Sequence, residues 1–182
     1  WVTFVGKLNR AKGYDIFAKS ITKILNKYPQ WSAKIIGDEK REKILLKHRN
    51  AHVLGFKKHN DVINIFKKTS IAVACSRWDE PFGRTSLEAS ANGCAVIITN
   101  KGGLPETVTN AKIIKTLSEK NLTQKISELI KNNGLRKKLQ KLSIKNFYLT
   151  HTFVTNQIDN YRKEKLFVKK FNIKMTKKSL RV

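Results

Sequence analysis

Cysteine, histidine and acidic residues are all scarce in this 182-residue sequence, and long apolar runs are missing. Two cysteines, Cys75 and Cys94, form no CxxC pair, and each adjoins an apolar run. That argues against a redox pair or a disulfide framework and for buried thiols in a reducing compartment. Of the four histidines, His48 and His52 stand four apart, but a strand is expected to begin near Ala51. The two therefore do not share a helical face, and no metal-ligand spacing results. No apolar run approaches the ~18–20 residues that span a bilayer. No apolar stretch follows a basic start and ends at a small-residue cleavage site, so no secretory signal is read. An Asp-x-Asp pair and internal repeats are also missing. The expectation is a soluble, cytoplasmic protein without a metal or other cofactor.

The shortage of acids leaves 13 Asp and Glu against 38 Lys and Arg, a formal charge of +25. Three readings compete. Cations release counterions from nucleic-acid phosphates, and they are drawn to anionic membrane surfaces. The third is a general lysine bias, and the even spread of lysine along the chain favours it. Membrane attraction comes second, with a peripheral place at the cytoplasmic membrane face. Nucleic acid is not expected as a partner, because no aromatic RNA-binding signature, zinc-finger spacing or recognition helix accompanies the charge.

What the chain does contain is alternation. Strands are expected at Val2–Val5, Ala33–Ile36, His52–Leu54, Ile71–Cys75, Ala95–Ile98 and Lys112–Ile114. They are short and mostly unalternated, as strands buried on both faces are. Between them lie amphipathic stretches at Tyr14–Tyr28, Glu39–His48, Asn60–Lys67 and Thr85–Asn92. After Leu117 only helices follow, at Glu119–Lys131, Leu135–Lys145 and Phe153–Lys165. The fold class is therefore α/β, a doubly wound, mostly parallel, Rossmann-like sheet with extra C-terminal helices. Residues 1–165 are expected as one domain and 166–182 as a basic C-terminal tail, with disorder one of its options. The start at Trp1 rather than Met reads as the second half of a longer protein.

Glycines fall at the strand ends: Gly6, Gly37, Gly55 and the Gly102–Gly103 pair. In an open parallel sheet, ligands bind beyond the carboxyl ends of the strands, where backbone must come close to them. The fourth strand leads into Asp79-Glu80-Pro81-Phe82-Gly83-Arg84-Thr85-Ser86-Leu87-Glu88. Gly83 stands at the start of a helix, whose free N–H groups favour an anion. A phosphate there has Glu80 before it and Glu88 about a turn beyond, which suits a diphosphate with hydroxyls on both flanks. Taken alone, Glu88 reads equally as a helix-stabilising acid. Lys7 and Lys12, in the loop after the first strand, supply opposite charge for a diphosphate without a metal.

These motifs, in this order, resemble the carboxyl-terminal domain of the retaining glycosyltransferases of family 4, also called glycosyltransferase group 1. Glu80 and Glu88 match the family's E-x7-E signature, with Pro81-Phe82-Gly83 and Leu87 fitting. Gly6-Lys7 and Lys12-Gly13 match its opening motif, and Gly102-Gly103-Leu104-Pro105-Glu106 its GG-x-PE segment. Gly37-Asp38 and Gly55-Phe56 fall where the family has glycines. The resemblance runs from about Val2 to Asp159.

The resemblance implies the C-terminal half of a GT-B fold that binds a nucleoside-diphosphate sugar, with the transferred sugar going to a glycan or glycolipid. It assigns Lys7, Lys12 and Glu80 to catalysis, the lysines on the diphosphate and Glu80 on the sugar hydroxyls. Donor binding falls to Gly6, Gly37, Phe82, Gly83, Arg84, Thr85, Ser86, Glu88 and Gly103, with Glu88 on the ribose diol. Lys7 departs from the family's usual Arg and loses its bidentate fork. Arg84 stands where many relatives have a small or apolar residue, and it either contacts phosphate or faces solvent. The acceptor-binding N-terminal domain is absent from this chain, and the region around Phe153–Lys165 matches the one that often crosses back to it. This chain alone is therefore expected to bind nucleotide but to transfer little sugar. The alternative is a basic nucleic-acid- or membrane-binding module on the same scaffold without catalysis. Within enzymes, a nucleotide-sugar epimerase or a phosphorylase is the rival.

Overall fold

A computed structural model describes residues 1–178, with side chains described as far as Leu166. Six parallel strands form one sheet in the order β3-β2-β1-β4-β5-β6. They are β1 (Val2–Val5), β2 (Ala33–Ile36), β3 (Ala51–Val53), β4 (Ile71–Ala74), β5 (Ala95–Thr99) and β6 (Lys112–Ile114). The chain runs outward from β1 to β3, returns to β4 beside β1, and runs outward again. The switch between β1 and β4 is where an open sheet leaves a crevice.

Side chains along each strand alternate between two cores. Val2, Phe4, Ile71, Val73, Ala95 and Ile97 enter one, whereas Ala72, Val96 and Ile98 enter the other. On the first face lie α1 (Tyr14–Lys27) and α4 (Glu119–Lys131). Tyr14, Phe17, Ala18, Ile21, Ile24 and Leu25 recur at helical spacing and are all buried. Each large apolar side chain so buried contributes about 1.5–3 kcal/mol. The second face is covered by α2 (His59–Phe66) and α3 (Arg84–Ala91), through Val62, Phe66 and Ala89. Ser118 caps α4 by accepting from the Asn121 N–H at 3.1 Å. Asn132 caps α5 (Asn133–Lys145) through Leu135 N–H at 2.8 Å.

Burial pushes both thiols, Cys75 and Cys94, up to about 12. They are inert core groups, not nucleophiles. Alkylation of native protein at pH 8.5 is expected to run roughly a hundredfold slower than in urea, because it must await opening of the core. Mass spectrometry of iodoacetamide-treated samples measures it, and equal rates would show that the thiols are accessible.

One expectation fails. Residues Glu39–His48 are not helical. Burial alternates residue by residue from Arg41 to Asn50, with Leu45 exposed and Ile44 and Leu46 packed inward. That is the period of extended chain. The boundary expected at residue 166, between domain and basic tail, falls inside α6 (His151–Lys178). Residues 179–182 of that tail lie outside the described residues. The chain divides instead into two units, Trp1–Phe147 and Tyr148–Val182. In the second unit, Tyr148 and Phe153 meet edge to face at 5.3 Å, and the side chains of residues 151–166 are exposed.

Candidate functional site

The loop after β1 is fixed from three sides, and this decides where Lys12 points. The Gly6 N–H donates to the Ile36 carbonyl at 3.0 Å, joining the ends of β1 and β2. Gly37 presses on the Gly6 carbonyl, which leaves no room for a side chain at 37. Asn9 is buried, and its Oδ1 accepts from the Lys12 N–H at 3.0 Å while its Nδ2 donates to Glu39 at 3.0 Å. The Glu39 carboxyl is held down to about 2 by the Arg41 N–H, the Asn9 amide and the Arg41 side chain.

The third side is the segment after β4. The Ala11 carbonyl accepts from the Arg77 N–H at 2.9 Å and from Ser76 Oγ at 3.0 Å. Arg77 also forks onto Asp15 with bonds of 2.6 and 2.8 Å and donates to the Arg10 carbonyl at 2.6 Å. Burial raises the Asp15 carboxyl, but the hydrogen bonds and charge of Arg77 outweigh it and hold the group below its ordinary value. Gly13 completes the contact. Its backbone has φ 73°, and a Cβ there would run into the Cys75 carbonyl. Only glycine allows the loop to lie this close to β4.

With both loops so placed, Lys12 Nζ donates to both Glu80 oxygens, at 2.6 and 2.8 Å. Glu80 is itself fixed by the following glycines. The Gly103 N–H donates to the Glu80 carbonyl at 2.6 Å, and Gly102 packs on the Glu80 backbone. Around this pair lies a cavity of about 140 Å³, bordered by Gly6, Lys12, Glu80, Gly83, Arg84 and Thr85. It opens at the N-terminus of α3. Gly83 is the residue before that helix, and no side chain caps its first turn. The first amides of a helix have no acceptor within it, so those of Arg84, Thr85 and Ser86 form a ready anion site.

The remaining expected residues lie outside this cavity. Lys7 is exposed and borders a separate hollow with Asp38, Glu39, Lys40 and Arg41. The Ser86 hydroxyl turns inward, donating to the Gly83 carbonyl at 2.7 Å and pairing with Thr107 at 2.8 Å. Gly37 and Gly103 are engaged in backbone packing. Phe82 is half exposed. Glu88 stands one turn into α3, its Oε1 taking a 2.8 Å bond from Arg84 Nε with His59 Nδ1 at 3.5 Å. Asn9, Asp15, His59 and Arg77 were not singled out in the sequence. Their side-chain partners Glu39, Arg77 and Arg84 lie 25 or more residues away, for Asn9–Glu39, Asp15–Arg77 and His59–Arg84. Among the described residues, no group of three His, Cys, Asp or Glu could hold a metal ion.

Comparison with known proteins gives a consistent picture. The family described as Glycosyl transferases group 1 matches residues 1–146. An uncharacterised glycosyltransferase of Methanocaldococcus jannaschii is 35% identical over 145 residues, covering 75% of this chain and 40% of the relative. The chain thus spans between a quarter, 25%, and about two fifths, 42%, of the length of curated relatives it matches. Among solved structures, the C-terminal domain of a glycosyl transferase group 1 family protein (LpcC) from Francisella tularensis superposes with a TM-score of 0.71. It is 25% identical, and the match covers 80% of this chain and 83% of that one. Anabaena HepE in complex with UDP-glucose also has a TM-score of 0.71, at 20% identity over 90% of this chain and 48% of that one.

Proposed function

This chain belongs to the glycosyl transferases group 1 family, and we propose that it is the donor-binding domain of a retaining member that transfers a sugar from a nucleoside diphosphate. The observation that carries the reading is one cavity bordered by Lys12, Glu80 and the uncapped start of α3. A diphosphate seated there meets an ammonium and a row of backbone N–H groups. Both stabilise the negative charge that builds on the leaving phosphate as the glycosidic bond breaks. In this reading no metal is required for that task. Glu80 orients the sugar hydroxyls and is not a covalent nucleophile; retention follows from same-face attack by the acceptor, assisted by the departing phosphate. The HepE complex with UDP-glucose supports a nucleotide sugar as the ligand.

The acceptor, a glycan or glycolipid in this proposal, is bound by an N-terminal domain of a longer protein. The protein is proposed as cytoplasmic and peripheral at the membrane. The +25 charge supports that placement, as do the exposed Phe153, Val154, Ile158 and Tyr161 of α6. Calorimetric titration of this chain with uridine, guanosine and adenosine diphosphates tests the donor reading. One of the three is expected to bind with a Kd in the micromolar range, about −8 kcal/mol. Silence with all three would overturn it.

A further inference from the structure

We infer that Arg84 and His59 are positioning residues for Glu88, and that together they set the preference of this site for a ribose over a sugar lacking those hydroxyls. The inference rests on the proposed donor site and concerns its nucleoside end. Arg84 is not free to serve as a simple phosphate ligand. Its Nε donates to Glu88 Oε1 at 2.8 Å, and its Nη2 lies 3.4 Å from His59 Nδ1. His59 in turn stands 3.5 Å from the same Oε1. Two side chains from two helices, His59 of α2 and Arg84 of α3, therefore converge on one oxygen of Glu88. No hydrogen bond reaches Oε2 among the described residues.

The asymmetry has a chemical consequence. A carboxylate has about four acceptor sites, and here Arg84, with His59 beside it, engages one oxygen and leaves the other. Oε2 keeps its capacity to accept hydroxyl protons while Oε1 anchors the group. Glu88 has a side chain only 17% exposed, and Arg84, one turn away, borders the phosphate cavity. The distance from phosphate to acceptor oxygen is thus fixed by a helical repeat. The Arg84 guanidinium also offsets a negative charge that would otherwise repel an incoming diphosphate. An exposed i,i+4 pair adds little to helix stability, so its effect is to be sought in orientation.

The measurement is the ratio of Kd values for a 2′,3′-dideoxynucleoside diphosphate and its ribose counterpart, taken on this chain. For the unaltered chain we expect a ratio of at least ~10, since a site built to bond a hydroxyl is left unpaired by its loss. Arg84→Ala is expected to lower the ratio to ~2–3, and Arg84→Ala with His59→Ala to ~1, as Glu88→Gln would. Binding of inorganic pyrophosphate should weaken by no more than about threefold in Arg84→Ala, because the phosphate-facing amides and Lys12 remain. A ratio that stays at the unaltered value in the double variant overturns the positioning role and leaves the donor reading standing. Equal losses for ribose, dideoxyribose and pyrophosphate would overturn it too, by making Arg84 a phosphate ligand. A ratio near 1 in the unaltered chain overturns this inference together with the assignment of Glu88 to the ribose.

Discussion

Lys12→Ala is expected to weaken nucleoside-diphosphate binding by roughly 100-fold, the equivalent of about 2.7 kcal/mol. Two losses combine in that figure. The ammonium that faces the diphosphate disappears, and the Glu80 side chain, which is 12% exposed and whose carboxylate takes both its hydrogen bonds from Lys12, is left uncompensated beside the phosphate. Truncating one member of a desolvated pair costs more than the pair contributes, because its partner stays behind. Lys7→Ala is the informative control. Its side chain is exposed and borders a different hollow, so a loss of only about threefold is expected, in keeping with a screened surface charge. Isothermal titration of both variants reads the difference. Equal losses would mean that Lys7 reaches the phosphate as readily as Lys12.

The second large effect falls on stability. Gly13→Ala is expected to cost about 3–5 kcal/mol, seen as a lower urea midpoint at unchanged slope. Part of that is the left-handed backbone at φ 73°, and the larger part is the collision of the new Cβ with the Cys75 carbonyl. Neither the β4 backbone nor the loop can retreat cheaply, since Arg77, Ser76 and Ala11 hold them together. Gly55 separates the two contributions. It has φ 67° but nothing within 4 Å of a Cβ, so Gly55→Ala should cost only about 1 kcal/mol. If the two variants unfolded at the same midpoint, the close approach of the loop to β4 would not be a source of stability.

Five of the six strands begin where the apolar runs begin, because strands buried on both faces carry their own signal in short branched runs such as Ala95–Thr99. Glu80 and Glu88 are read correctly as neighbours of one helix start because their separation is local. The stretch Glu39–His48 misled for the opposite reason. Its mixture of Lys, Glu and Leu has helical composition, but it is held in the fold by distant partners, through the bond from Asn9 to Glu39, 30 residues away, and the packing of Ile44 and Leu46 on the core. Lys7 and Lys12 look equivalent in one loop, yet the turn at Asn9 sends them to different hollows. Nothing near His59 announces Arg84, and nothing near Asp15 announces Arg77. Those pairs, 25 and 62 residues apart, exist only once the sheet has closed.

The start of α3 carries one more consequence. A Ser, Thr or Asp before a helix closes its first turn with a side-chain acceptor, and Gly83 supplies none. An arriving anion would complete the turn from outside, so occupancy and local order become one equilibrium. The melting temperature would then climb with the logarithm of ligand concentration, and the amides of Arg84 and Thr85 would exchange their hydrogens slowly only when occupied.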